Sequence, residues 1–227
     1  MASLSENSSI RDFQDFVNEV YVLPNDRDFD LGEMLSNVQR FAMRGIKGIR
    51  QGNVEKTKTN LLISLSWFSS TMTRLHADIE DAVWQRFPYL CSYCGNIPCS
   101  CKRDAVQSRK KVPVDDAKKP KTIREFQQMF SKIYPVSTRC LETGGIHLAE
   151  ELGELSEAIW NFRSERRDCD LEIVVKEVGD YFSTVFGVFN SLNIDLAKEL
   201  TGLFYDNCHV CHKVPCECTY KFIRRFK

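Results

Sequence analysis

The sequence has no excess of charge of either sign: lysine plus arginine and aspartate plus glutamate number 31 each. That balance excludes a globally basic nucleic-acid binder, although it leaves room for local basic patches. No apolar run approaches the roughly eighteen residues a bilayer span requires, so no contact with membrane is expected. The opening residues, MASLSENSSIRDFQDF, show neither a basic n-region nor an apolar h-region. A signal peptide is therefore not expected, and the chain reads as cytoplasmic. Alternation of apolar and polar residues at period two, bounded by turns, is missing as well, which argues against strands.

Cysteine, by contrast, is abundant: ten in 227 residues. In a cytoplasmic chain that number argues against a disulfide framework and for metal. Eight of the ten fall in two identical patterns, CxxCxxxxCxC, at Cys91, Cys94, Cys99 and Cys101 and again at Cys208, Cys211, Cys216 and Cys218. Each foursome suggests a structural zinc site, because Zn²⁺ takes four thiolates tetrahedrally and then has no open position. His209 and His212 are alternative ligands in the second pattern. Cys140 and Cys169 read as simple thiols.

The two patterns are offset by 117 residues, and other anchors repeat with them. IRDFQ from Ile10 matches IREFQ from Ile123, and WFSST from Trp67 matches YFSTV from Tyr181. A repeat of this length means duplicated domains. The expected organisation is a first copy over 1–101, a charged linker over 102–121 and a second copy over 122–227, all α-helical. Helices are expected near 9–20, 31–50, 54–73 and 78–87, then near 122–133, 144–163, 170–192 and 195–206. The linker, with eight lysines and arginines, two prolines and no aromatic residue, reads as an exposed tether. It offers a contact for nucleic acid, but a solubilising role fits its composition better.

Chemistry concentrates in the second copy. On a helical wheel Leu148, Leu152, Leu155 and Ile159 form an apolar stripe, and Glu150, Glu154 and Glu151 follow at roughly 200°, 240° and 300°. On the next helix Val174, Val178, Tyr181, Phe182, Val185 and Phe189 share a face, with Glu177 and Asp180 together at its edge. Two antiparallel helices with these edges apposed would gather carboxylates that repel one another unless a cation fills the cleft. Mg²⁺, hard and oxygen-seeking, suits such a site best. In the first copy the corresponding positions are Ser36, Asn37, Arg40, Ile63 and Ser66, so that copy has no such site. It carries instead a basic run, Arg40, Arg44, Lys47 and Arg50.

The arrangement EExxE…ExxD, framed by HLAEELGEL before it and NSLNIDL after it, resembles the MazG-like nucleotide pyrophosphohydrolases over about residues 123–205. The resemblance implies an all-α fold and Mg²⁺-dependent splitting of a nucleoside triphosphate into monophosphate and pyrophosphate. It implies Glu150, Glu151, Glu154, Glu177 and Asp180 as Mg²⁺ ligands, with Glu151 or Glu154 accepting the proton of the attacking water. Members of that family work as dimers or larger assemblies. A tandem chain would supply both partners as an intramolecular pseudo-dimer, open to further dimerisation. Arg40 and Arg44 of the first copy, with Lys176, Asn190 and Lys198, are candidate substrate contacts, and Trp67 and Trp160 are candidate stacking surfaces. The Cys-rich tails depart from the family pattern. The competing expectation is a zinc-bearing adaptor without catalysis.

Overall fold

The computed structural model describes residues 3–138, 140–165 and 167–225. Every regular element among them is helical. The helices are α1 (Ile10–Asp28), α2 (Leu31–Arg50), α3 (Val54–Arg74), α4 (Ile79–Arg86), α5 (Cys101–Asp104), α6 (Ile123–Ile133), α7 (Leu141–Glu165), α8 (Asp168–Ser191), α9 (Leu196–Phe204) and α10 (Tyr220–Arg225). All eight expected helices are present. The short α5 and α10 carry no periodic signal, and α1 runs on through Pro24 to Asp28. No helix among the described residues is long and apolar enough to cross a membrane.

Local chemistry sets the helix starts. Ser9, Asp30 and Thr122 accept the backbone N–H three residues on, while the side chains of Asp12, Glu33 and Glu125 accept the cap's own N–H. Such reciprocal caps satisfy donors that a helix leaves unpaired, each contributing about 1 kcal/mol.

Packing joins the two halves of the chain. The longest pairings are α2 with α3 and α7 with α8; α1 then lies on α3, and α6 on α8. Across the halves α2 packs on α7, where Gln39 donates to Ser156 at 2.9 Å, and α4 packs on α8. Leu148, Leu152, Leu155 and Ile159 are buried, as are Val174, Val178, Tyr181, Phe182, Val185 and Phe189. A chain of rings, Phe87, Phe130, Phe186, Phe182 and Phe68, runs from the first half through the second and back, with neighbouring centroids 5.1–5.9 Å apart. Burying one such side chain is worth about 1.5–3 kcal/mol, so this seam holds the halves together. The buried core is continuous from Leu4 to Cys218.

Each cysteine loop docks on the first helix of the other half. Cys99 donates its N–H to the Ile133 carbonyl at the end of α6, and Cys216 donates to the Val20 carbonyl of α1, both at 2.8 Å. The acceptors are available for physical reasons. Ile133 ends its helix, where carbonyls lack intrahelical donors. Val20 sits four residues before Pro24, which has no N–H to give it. A tyrosine follows each acceptor: Tyr134 donates to Cys91 Sγ at 3.5 Å, and the Tyr21 hydroxyl lies 3.2 Å from His209 Nδ1.

The segment 102–121 is largely exposed, as its composition suggests, but its last residues are anchored to α4. Trp84 Nε1 donates to Asp116 at 2.7 Å, Lys119 pairs with Glu80 and Asp81, and Pro120 is buried. The charge partners of Lys119 lie in another part of the chain, so composition alone does not show this anchoring.

Candidate functional site

In each cysteine foursome the sulfur atoms lie within 4.8 Å of one another. Cys91 and Cys101 are 3.7 Å apart, Cys208 and Cys218 3.9 Å, and Cys211 and Cys216 3.8 Å. A tetrahedral Zn²⁺ with Zn–S near 2.3 Å sets its thiolates about 3.8 Å apart. A disulfide would draw two sulfurs to about 2.05 Å. Both groups therefore fit a metal such as zinc. The Cys216 thiol bond pulls Cys208 down to about 4 against the opposing effect of burial. At Cys94 burial acts upward, but the backbone N–H groups of Ser100 and Asn96 outweigh it and the thiol falls to about 6. Burial and the charge on Cys208 push Cys218 up to about 12, because a second anion beside the first is resisted until a cation arrives. Neither His209 nor His212 belongs to the second group: His209 is held neutral by burial and packs edge-on against Phe204.

The apolar stripes of α7 and α8 place a second kind of site between these helices. Glu151, Glu177 and Asp180 offer carboxylate oxygens within 4.8 Å of one another, an arrangement that could hold a divalent ion. Glu151 Oε2 and Glu177 Oε2 are buried and, among the described residues, have no hydrogen-bond partner. An orphaned carboxylate oxygen is costly to bury, so the pocket wants a proton or a cation. Burial, then the charges of Asp180, Glu154 and Glu177, raise Glu151 to about 7. Burial and the charges of Asp180 and Glu154 raise Glu177 as well.

Two arginines reach this group from outside the helices that carry it. Arg86, at the end of α4, grips Asp180 with its Nε 3.0–3.1 Å from both carboxylate oxygens and its Nη2 on Oδ2. Burial would lower the Arg86 pKa, but the Asp180 bond and the charges of Asp180, Glu177 and Glu151 raise it. Arg109, from the segment after the first cysteine loop, places Nη2 3.4 Å from Asp180 Oδ2. With Glu154 included, four carboxylates face two guanidinium groups, which leaves a deficit that one divalent ion would balance.

Other candidates lie elsewhere. Glu150 is exposed and outside the three-carboxylate group; Glu154 is exposed too, but close enough for its charge to act on Glu151 and Glu177. Arg40 and Arg44 stack on Phe41, and Arg40 donates to the Ile223 carbonyl of α10 and lines a groove with Glu33, Ser36 and Asn37. Asn190 exchanges hydrogen bonds with Gln127, about three turns beyond Asp180 on α8. Lys198 is exposed at the start of α9. Lys176 lines an open groove with Gln85, Arg86 and Val175 beside the carboxylates. Trp67 packs edge-on against Phe29, and Trp160, half exposed, carries Arg163 over its ring.

Arg86, Arg109 and Gly179 escape sequence reading. Gly179 was the available signal: a Cβ there would meet Arg86 Cβ at 2.7 Å, and Leu65 stands at the matching place in the sequence repeat. No family model matches the chain, and neither a curated protein nor a solved structure does.

Proposed function

We propose that this chain is a Mg²⁺-dependent nucleoside triphosphate pyrophosphohydrolase of MazG-like kind, a tandem of one helical fold whose first copy has lost its site. The observation that carries the reading is the pair of buried, unpartnered oxygens on Glu151 and Glu177 beside Asp180. Those three residues would hold the ion, which when bound polarises phosphoryl oxygens and makes water more acidic. Glu154, at the exposed rim and outside the group, is the carboxylate left to accept the proton of the attacking water. The bond between the α and β phosphates breaks, and monophosphate and pyrophosphate leave.

A tandem pseudo-dimer is supported by paired details. Gln14 donates to Ala77 O and accepts from Ile79 N, while Gln127 donates to Ile194 O and accepts from Leu196 N. His76 and Asn193, and again Gly95 and His212, share left-handed backbone at the 117-residue offset. The docking of each cysteine loop on the opposite half follows the same exchange. The domain reading is thus 1–101 and 122–227 joined by 102–121.

One observation favours a second reading, a zinc-bearing adaptor: Arg86 already neutralises Asp180, as a purely structural ion pair would. Nucleic acid as its partner is disfavoured, because Lys118 and Lys119 of the linker are committed to carboxylates within the chain. Pyrophosphate release from a panel of nucleoside triphosphates, with and without Mg²⁺, separates the two. Metal-dependent release supports the enzyme; no release from any triphosphate, with no effect of Mg²⁺ on stability, leaves the adaptor.

A further inference from the structure

The carboxylates and the arginines of the site have different origins. Glu151, Glu177 and Asp180 belong to α7 and α8, whereas Arg86 and Arg109 come from α4 and the segment behind it. Arg86 arrives because Gly179 lets α4 approach α8; a Cβ would also meet the Ala82 carbonyl at 3.2 Å.

Arg109 is set by the first cysteine loop. Its guanidinium lies over the Tyr93 ring, 5.5 Å from the centroid, and the Lys110 N–H donates to the Tyr93 carbonyl at 3.0 Å. A Val112 methyl covers Gly95, 3.7 Å from where a Cβ would stand. Tyr93 lies between Cys91 and Cys94, and Gly95 follows directly, so four thiols close the very loop on which Arg109 rests. The second loop does no such service for the carboxylates. Val210 stands where Tyr93 does, and the chain beyond it runs to α2, where Tyr220 donates to Glu33.

Resting on the function proposed above, we propose that Arg86 and Arg109 form the pyrophosphate-binding side of the site, and that the zinc-closed first cysteine loop holds Arg109 there. A triphosphate on one divalent ion still carries negative charge, and the planar forks of two arginines suit adjacent phosphoryl groups. Arg86 meets Asp180 through Nε and Nη2, which leaves its remaining nitrogen for a ligand. When a cation engages Asp180, both arginines lose part of their counter-charge, and a phosphate restores it. Tyr93 acts as a positioning residue: it touches Arg109, not the substrate.

The test uses the full chain with Mg²⁺, measuring inorganic pyrophosphate binding by calorimetry, zinc content and steady-state kinetics. Arg109→Ala and Tyr93→Ala should each weaken pyrophosphate about tenfold and raise KM more than they lower kcat. Tyr93→Phe, which keeps the ring, should restore binding, and Val210→Ala at the matching place in the second loop should leave it unchanged. Tyr93→Ala should add nothing in an Arg109→Ala background. Cys94→Ser should release one zinc and weaken pyrophosphate to the same extent; should it not fold, the Tyr93 variants decide. Tyr93→Ala binding pyrophosphate like the parent, or losing as much again without Arg109, overturns the proposal alone. A parent chain that neither binds pyrophosphate nor hydrolyses any triphosphate overturns it together with the function on which it rests.

Discussion

Replacing Glu151 by glutamine should stabilise the protein in magnesium-free buffer. The carboxyl is raised from 4.5 to about 7, so between those values the native state holds a proton that the unfolded state has released. Stability therefore falls as pH rises through this window and stays low above it. A rise of that size corresponds to about 3.5 kcal/mol at most, since each unit is worth about 1.4 kcal/mol. Glu151 keeps some solvent contact, which screens it, so roughly 1–2 kcal/mol is the expected gain for Glu151→Gln at pH 8. At pH 5.5 the advantage should shrink by about half or more, because the parent's native state is then protonated. Excess Mg²⁺ should reverse the order. At a hundredfold its dissociation constant it stabilises the parent by about 2.7 kcal/mol, while the variant lacks a ligand and gains less. Urea denaturation at the two pH values, with zinc left in place, measures all of this. A variant less stable than the parent at pH 8 without Mg²⁺ would mean that the fold requires this negative charge, and the reasoning would fail.

Asp180→Asn should behave in the opposite way, losing about 3 kcal/mol, because Arg86 is left largely buried without its counter-charge; denaturation beside Glu151→Gln shows whether the two carboxylates differ. Gly179→Ala should cost about 1–3 kcal/mol by pushing α4 from α8, and retention of full stability would mean that the crossing is looser than its contacts indicate. Zinc should co-purify at about two ions per chain, and Cys216→Ser should release one; protein prepared under reducing conditions without zinc refutes both sites. Trp84→Phe removes the donor to Asp116, so trypsin should cut within 102–121 faster than in the parent, and an unchanged rate would show that Lys119 alone secures the segment.

How much of this was legible depends on how local the cause is. Helices followed from the apolar stripes and from caps such as Thr122 with Glu125, which operate within one turn. The repeated cysteine pattern announced both foursomes, because the ligands of each lie within eleven residues. Glu151, Glu177 and Asp180 could be paired from helical phase, which sets Glu151 beside the apolar stripe and Glu150 nearly opposite it, in keeping with the exposure of Glu150. The arginines were illegible for a stronger reason. Arg40 aligns with Glu154 in the sequence repeat and drew attention by that position, yet it meets α10. Arg86 ends a short helix with nothing distinctive around it, and reaches Asp180 only because α4 crosses into the other half. That crossing is a property of two surfaces meeting, not of either segment.

The exchange of cysteine loops has a consequence for how the chain comes to be folded as it is made. Synthesis proceeds from the N-terminus, and the first loop docks on Ile133, more than thirty residues beyond its last cysteine. Until α6 has emerged, the first loop has no Ile133 carbonyl on which to rest. The second loop must find Val20, a residue made long before it. Contacts so distant in sequence are slow to form, because chain closure precedes any gain from packing. α1 packs on α3 within its own half, but its cover at Val20 arrives only with the second loop, so each half relies on the other for part of the surface over its first helix.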